Sequence, residues 1–306
     1  MSTVPGHGTY DAPVSRPRVL DRLAAAPISW GVCEVPGWGH QLSSGRVFRE
    51  MNELGITATE FGPEGFLPED PDLRAMALAG YRLRPVGGFV PAVLHDPGYD
   101  PTGYVGAMTA GFVAAGANRM VLAAATGQDG YDTRPVLDEV GWRTLLGNLD
   151  RIAQRAAQSH FTITLHPHIG TMVENFDEVH RVLEGSGIPL CLDTGHLLIG
   201  GTDPVELTRQ APDRIAHVHL KDVDAALAAQ VRAGEITYTE AVRQGVYRPL
   251  GQGDIDIAGI ITTLEANGYS GWYVLEQDTI LTAAPGSDGP AADVRVSIDY
   301  LRALDV

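Results

Sequence analysis

The feature that most constrains this chain is a regular alternation of short apolar runs with longer segments of helical periodicity. Eight runs are candidate strands, at residues 28–34, 58–61, 83–90, 120–125, 161–165, 189–192, 215–220 and 272–275. Strands that alternate with helices in this way are usually parallel and are joined by crossover helices. The pattern therefore predicts an α/β fold that is built from eight βα units.

Two architectures fit this alternation, an open doubly wound sheet and a closed barrel. A doubly wound sheet normally begins with a glycine-rich phosphate turn after its first strand, with the spacing G-x-G-x-x-G. Residues 34–39, with the sequence EVPGWG, lack that spacing. A chain of 306 residues is also an ordinary length for a single α/β barrel. The sequence therefore favours a (β/α)8 TIM barrel.

Composition along the chain predicts an N-terminal extension and one domain that contains an insertion. Residues 1–26 are rich in Pro, Gly and Ser and have no periodic pattern, which predicts an N-terminal extension. Residues 27–306 are expected to form a single TIM-barrel domain. The interval at about 224–254 is longer than one crossover requires, so it is expected to be an insertion over the mouth of the barrel.

The charge of the chain restricts its partners. A formal charge of −16, from 38 acidic and 22 basic residues, repels nucleic acid and anionic membranes. The two cysteines lie in apolar surroundings, and no run approaches the roughly 20 apolar residues of a membrane helix. We expect a cytoplasmic protein that binds a small molecule, with neither nucleic acid nor membrane as partner; a homo-oligomer is left open.

Four side chains of metal-ligand type lie at the ends of candidate strands: His166, Asp193, His219 and Glu276. The first three are 27 and 26 residues apart, close to the roughly 31 residues of one βα unit in a typical barrel. The last step, of 57 residues, includes the insertion. Because the carboxyl ends of barrel strands meet at one mouth, we expect these four side chains to bind one divalent metal ion.

The donor types also indicate the metal. Structural zinc sites usually recruit cysteine, whereas imidazole and carboxylate together suit catalytic divalent cations. We expect Mn²⁺ or Co²⁺, with Zn²⁺, Fe²⁺ or Mg²⁺ as alternatives.

Further polar side chains follow the same strands and are expected to bind a polyhydroxylated substrate. Trp38 is expected to cover an apolar face of its ring, and the others to form hydrogen bonds. The predicted substrate-binding residues are Glu34, Trp38, Glu60, His168, His196 and Lys221.

Several motifs are similar to those of one known family. They are WGVCE at 30–34, TATE at 57–60, HPHIGT at 166–171, DTGH at 193–196, HLKD at 219–222 and GYSGWYVLEQD at 268–278. From about residue 29 to 278 the chain resembles the xylose-isomerase-like sugar isomerases, epimerases and dehydratases, and most closely the inosose dehydratases of inositol catabolism. The resemblance implies a metal-dependent barrel enzyme in which Asp193, His219 and Glu276 match three of the usual ligands.

One position departs from the epimerases of that family, most of which have glutamate where this chain has His166. Moving a proton between the two faces of a carbon is well served by two opposed carboxylates, and one of them is missing here. A dehydratase instead removes a proton alpha to a ketone and eliminates a beta hydroxyl, for which one carboxylate base suffices.

The expected function is therefore dehydration of a cyclic keto-polyol such as 2-keto-myo-inositol by a hydro-lyase. In this hypothesis Glu276 is the base, His168 or His196 is the acid, and Lys221 stabilises a negative oxygen. The alternative is an isomerase or 3-epimerase in which Glu34, Glu60 or Glu174 supplies the second carboxylate. A non-catalytic sugar-binding barrel is a third hypothesis.

Overall fold

The computed structural model describes residues 18–158, 160–286 and 289–304. Its strands are β1 Leu23–Ala25, β2 Ala58–Thr59, β3 Arg84–Pro85, β4 Phe89–Ala92, β5 Arg119–Ala124, β6 Thr162–Leu165, β7 Leu190–Asp193, β8 Ile215–Leu220, β9 Asp222–Val223, β10 Tyr247–Arg248 and β11 Tyr273–Leu275. Nine of these form one sheet in the order β3-β2-β1-β11-β8-β7-β6-β5-β4, and all its neighbours are parallel.

The sheet closes because β3 and β4 are successive pieces of one barrel strand. β3 pairs with β2, and β4 pairs with β5. Between the pieces, Gly87 lies against the neighbouring strand: a Cβ there would lie 2.1 Å from the carbonyl oxygen of Arg119. Glycine therefore permits the close approach that closes the barrel. This is the predicted (β/α)8 architecture, with the predicted strand 83–90 divided in two.

Helices connect the strands and cover the outside of the barrel. They are α1 Ser44–Glu53, α2 Pro71–Gly80, α3 Thr102–Ala114, α4 Glu139–Ala156, α5 Phe176–Gly185, α6 Thr194–Gly200, α7 Pro204–Gln210, α8 Ala225–Arg232, α9 Tyr238–Arg243, α10 Ile257–Ala266 and α11 Gly289–Ala303. Acidic or amide caps fix many of their starts; Asp138 and Asn175, for example, accept hydrogen bonds from the first turns of α4 and α5. Within the described ranges, every helix is too short or too polar to span a bilayer.

The predicted first strand at 28–34 is wrong. Pro27–Trp30 is a 3-10 helix, and Gly31 follows it with a φ of +78°, which ends any extended conformation. The first barrel strand is instead Leu23–Ala25, whose three side chains, two of them alanine, are buried. Alanine has a weak preference for strands, so a run of alanines gave no strand signal. Residues 18–26, assigned to the extension, thus contribute to the barrel, whereas 1–17 lie outside the described residues.

The interval predicted as an insertion, at about 224–254, contains α8, α9 and β10. β10 pairs with β9, which lies just before the interval, in a small antiparallel ribbon. Asp224 caps the start of α8, and Thr237 caps the start of α9. The ribbon directly follows β8, so the segment begins at the carboxyl end of a barrel strand. The division of the chain into an extension, a barrel and an insertion otherwise stays a prediction.

An ion pair joins the first strand to the last βα unit. Arg22, next to β1, forms two hydrogen bonds of 2.6 and 2.7 Å with the Glu265 carboxylate of α10. It also donates to the carbonyl oxygens of Tyr269 and Gly271. Both charged side chains are largely buried. This pair therefore stabilises the joint between β1 and β11, where the two ends of the barrel meet.

We expect Arg22→Ala to lower the free energy of unfolding by about 3–5 kcal/mol, because it removes the cation from a largely buried carboxylate. Urea denaturation measures the change. Arg302→Ala is the matched control: its partner Asp299 and Arg302 itself are more than half exposed, so its effect should stay within about 0.5 kcal/mol. Equal effects of the two substitutions would contradict this role for Arg22.

Candidate active site

The four predicted metal ligands lie together at the carboxyl ends of four strands. His166 directly follows β6, Asp193 ends β7, His219 lies in β8 and Glu276 directly follows β11. The parallel register places Asp193 opposite His219. His166 Nε2 is 3.2 Å from Asp193 Oδ2, and His219 Nδ1 is 3.5 Å from the same oxygen. The residues that were selected by their spacing along the sequence thus lie close together in the structure.

The contact between His219 and Glu276 is informative about a metal. His219 Nδ1 and Glu276 Oε2 touch each other, yet neither of these buried atoms has a hydrogen-bond partner among the described residues. Donor atoms of Asp193, His219 and Glu276 all lie within 4.8 Å of one another. Burial alone would lower the pKa of His219, but the negative groups around it raise this pKa well above its usual value. The space between these donor atoms therefore suits a positive charge, which a divalent cation would supply.

Glu60, at the end of β2, holds His219 in the required orientation. Its Oε1 lies 2.8 Å from His217 Nε2 and 3.0 Å from His219 Nε2. Burial would raise the pKa of Glu60, but the two imidazoles outweigh burial and lower it. Because an ionised carboxylate only accepts, Nε2 of His219 carries a hydrogen, and Nδ1 is the nitrogen that faces Glu276 and would bind a cation. The predicted contact of Glu60 with substrate stays a prediction.

Lys221 lies at the centre of the site and is the sole lysine of the sequence; every other one of the 22 basic residues is arginine. Its side chain is buried, and its Nζ contacts Asp278 and lies 3.5 Å from both Asp193 Oδ2 and Glu276 Oε2. Burial alone would lower the pKa of Lys221, but the carboxylates of Asp193 and Asp278 raise it well above its usual value. The ammonium group therefore remains charged.

The carboxylates of the site and Lys221 alone do not balance in charge, so the site needs further positive charge. The described site contains four largely buried carboxylates, Glu60, Asp193, Glu276 and Asp278, around the single ammonium of Lys221. Buried charges are stable only when they are paired or coordinate a metal. The donor set, its geometry and its excess of negative charge therefore all fit a divalent cation.

Asp278 was not among the predicted site residues. It lies two positions after Glu276, in the EQD sequence of the last strand end, which was a usable signal. It also accepts a 2.5 Å hydrogen bond from the hydroxyl of Tyr238 in α9. Tyr238 in turn lies 3.1 Å from the hydroxyl of Tyr247. The segment after β8 thus supplies two tyrosines to the site, and no periodicity in the sequence indicated them.

The two further histidines differ in position. His168 lines the cavity at the barrel mouth, whereas His196 lies outside the set of described residues that line it. Their rings stack with centroids 3.7 Å apart. His168 Nδ1 lies 2.6 Å from the carbonyl oxygen of Ile169, and His196 Nε2 lies 3.2 Å from Lys221 Nζ. Burial lowers the pKa of both histidines well below its usual value, so both are neutral.

The opposite wall of the cavity contains Glu34 and Tyr131. The Tyr131 hydroxyl donates to Glu34, and its ring lies 4.6 Å from that of His168. Tyr131, which was not predicted, approaches the site because Gly170 has a φ of +76° and no side chain; a Cβ there would lie 2.5 Å from Tyr131 Cα. The sequence HPHIGT thus includes a glycine that admits a neighbouring loop.

The cavity has a volume of about 510 Å³. Of the predicted site residues it is lined by Glu34, Trp38, Glu60, His166, His168, Lys221 and Glu276. Trp38 is buried, and its Nε1 donates to the carbonyl oxygen of Thr279. The predicted roles of these residues stay predictions, but the structure brings them into one cavity.

Comparison with known proteins gives the same family as the motifs. The inosose dehydratase of Geobacillus kaustophilus (strain HTA426) is 31% identical over 270 residues, which cover 84% of this chain and 87% of that protein. The inosose dehydratase of Geobacillus thermodenitrificans (strain NG80-2) is 28% identical over 268 residues, 84% of this chain and 89% of that protein. The crystal structure of an IOLI protein with a bound zinc atom has a TM-score of 0.65 and 15% identity, and covers 92% of this chain and 99% of that one.

These relatives confirm the predicted resemblance to inosose dehydratases, the barrel fold and the hydro-lyase class of enzyme. The zinc-containing structure, at its low identity, supports the fold alone. A family model described as a xylose isomerase-like TIM barrel matches residues 112–304. This chain belongs to the xylose isomerase-like TIM barrel family.

Proposed function

We propose that this protein is a metal-dependent dehydratase that acts on a cyclic keto-polyol such as 2-keto-myo-inositol. The observation that carries the proposal is the convergence of His166, Asp193, His219 and Glu276 beside a cavity that also contains Lys221. The inosose dehydratases to which the chain is similar support the choice of substrate.

The four convergent side chains would hold the metal. When bound, a divalent cation supplies a Lewis acid that polarises a carbonyl oxygen. Glu60 accepts a hydrogen bond from Nε2 of His219, so Nδ1 is the nitrogen that would bind the metal. His166 Nδ1 is buried and has no hydrogen-bond partner in the described part of the chain, while its Nε2 faces Asp193.

Glu276 is the proposed base. Burial would raise its pKa, but its contacts with His219 and Lys221 lower it. The carboxylate is therefore ionised at neutral pH and can accept the proton alpha to the ketone. Lys221 donates hydrogen bonds to the oxygen on which negative charge develops.

The positions and pKa values of the two candidate histidines argue against either as the acid. His168 and His196 were the candidates, but both are neutral, and His196 is not in the described cavity lining. A neutral His168 that donates Nδ1–H to Ile169 presents Nε2 as an acceptor, which suits a substrate hydroxyl. We therefore assign to His168 the orientation of the substrate. The proton that Glu276 takes from the alpha carbon is then passed to the departing hydroxyl, which leaves as water.

The alternative is isomerisation or 3-epimerisation, and one observation favours it. Glu34 lines the same cavity as Glu276 and could supply a second carboxylate. Glu174 is less suitable, since its side chain accepts from the Gly170 amide and pairs with Arg134.

Incubation of the enzyme with Mn²⁺ or Co²⁺ and 2-keto-myo-inositol tests the proposal directly. Dehydration gives a dione that absorbs in the ultraviolet, whereas isomerisation gives a ketose of unchanged absorbance. An isomeric product without the dione would replace the dehydratase proposal by the alternative.

Asp193→Ala should abolish both bound metal and activity, since two of the other ligands lie within 3.5 Å of this carboxylate. Asp193 also caps α6, so Asp193→Asn is the matched variant that can keep the cap. Atomic emission measures the metal, and circular dichroism the fold. Asp203→Ala, which removes the cap of α7 outside the site, should retain metal. Stoichiometric metal in a folded Asp193→Ala protein would refute the ligand assignment.

Glu276→Gln separates the two proposed duties of this residue. The amide oxygen can still bind a cation but cannot accept a proton, so turnover should fall by about 10²–10⁴-fold, or about 3–5 kcal/mol of barrier. Solvent deuterium should then fail to enter recovered substrate. Glu206→Gln, on the exposed side of α7, is the control. Turnover within a few-fold of the parent, with metal retained, would leave Glu276 as a ligand only.

His166→Glu tests whether this position sets the reaction. Because the new carboxylate can bind the cation and exchange a proton, the variant should keep much of its metal, lose dehydration and exchange the alpha proton with solvent deuterium. Mass spectrometry of recovered substrate measures the exchange, and His160→Glu at an exposed position is the control. Full dehydration by His166→Glu would show that the histidine is incidental.

A further inference from the structure

The cavity at the barrel mouth has two chemically different ends. One end contains the polar side chains of the site described above. The other lies between the loop after β2 and helix α3 and is lined by apolar side chains. We call this second end the apolar arm; it consists of Phe61, Leu67, Phe89, Met108 and Phe112.

The apolar arm begins directly beside the proposed metal ligands. The ring of Phe89 lies 6.1 Å from that of His166 and 5.7 Å from that of His168. Phe61, which directly follows Glu60, packs edge to face with Phe112 at a centroid distance of 5.0 Å. A group attached to a ring at the polar end would therefore reach the arm without leaving the cavity.

The charged residues near the arm do not make it suitable for an anion. Arg74 lies over the ring of Phe61, but its guanidinium donates to the carbonyl oxygens of Pro68 and Glu69. Two acidic residues, Glu64 and Glu69, line the cavity on the same side. Their charge repels a phosphate or carboxylate, so the arm suits an uncharged group.

A bare polyol ring does not match the whole cavity. The volume of about 510 Å³ lies in the range of roughly 300–1,000 Å³ that is typical for drug-sized ligands, and a six-membered polyol ring is much smaller than these. Hydroxyl groups placed against the five apolar side chains of the arm would lose water without gaining hydrogen bonds from those side chains. An apolar group placed there would bury its surface favourably.

We infer that the substrate is a cyclic keto-polyol that carries an uncharged apolar substituent, such as an aryl or alkyl ether, which occupies the apolar arm. The inference rests on the proposed function, which supplies the keto-polyol ring of the substrate. It adds a substituent on that ring, which the apolar arm of the cavity binds. The reaction is unchanged: Glu276 takes the alpha proton, the beta hydroxyl leaves with a proton as water, and the substituent is retained.

Binding of unreactive probes tests the arm independently of catalysis. We expect the Mn²⁺-loaded enzyme to bind a mono-O-benzyl ether of myo-inositol at least about tenfold more tightly than myo-inositol itself, because a phenyl group is buried. Titration calorimetry with the regioisomeric ethers measures this ratio. Equal or weaker binding of every benzyl ether would overturn the inference.

A charge placed in the arm should remove the preference. Met108 is only partly buried, so Met108→Glu is expected to fold, and the benzyl ether should lose its tenfold advantage while the affinity for myo-inositol stays within about twofold. Val113→Glu is the matched control, since Val113 is exposed on the same helix and outside the described lining. A benzyl preference that survives Met108→Glu would overturn the assignment of the arm.

Turnover separates this inference from the proposed function. The benzyl ether of 2-keto-myo-inositol should have a kcat/KM at least about tenfold above that of the parent ketone, because the phenyl group adds binding energy. Equal kcat/KM for both would overturn the inference and leave the dehydratase proposal in place. Tight benzyl binding without dione from either ketone would overturn the dehydratase proposal and leave the arm as a binding subsite.

Discussion

The barrel mouth depends on how the charge of several buried carboxylates is balanced. Glu60, Asp193, Glu276 and Asp278 come from the ends of three strands, β2, β7 and β11, and burying any of these charges alone would cost free energy. Hydrogen bonds from histidine stabilise the Glu60 carboxylate. The ammonium group of Lys221 lies among the carboxylates of Asp193, Glu276 and Asp278 and offsets part of their charge. The carboxylates still carry more negative charge than Lys221 carries positive charge. This excess lies where the side chains of Asp193, His219 and Glu276 converge, and it suits the binding of a cation there.

The sequence predicted the parts of this arrangement that repeat with the barrel. His166, Asp193 and His219 recur once per βα unit, so their spacing alone indicated that they meet. Strands with branched side chains, such as β5 and β8, were also found near their observed bounds. The first strand was missed because Leu23–Ala25 is mostly alanine, whose place in the core depends on its neighbours in the closed sheet.

Other parts of the site come from contacts that no local pattern encodes. Tyr238 reaches Asp278 across 40 residues, and Tyr131 reaches Glu34 across 97. Each tyrosine lies on a segment with its own caps and turns, and only the packing of that segment brings the hydroxyl into place. For Tyr131 the requirement is visible in hindsight, since the absence of a side chain at Gly170 is what admits its backbone.

The use of a single lysine has a practical consequence. Apart from the chain's terminal amine, Lys221 is the one aliphatic amine that the sequence offers to acylating or reductively alkylating reagents, which leave guanidinium groups largely untouched. It is also almost completely enclosed and held by Asp278. Because Lys221 also lines the cavity at the barrel mouth, the extent of its labelling reports whether a reagent can enter that cavity, and a ligand bound there should protect the amine.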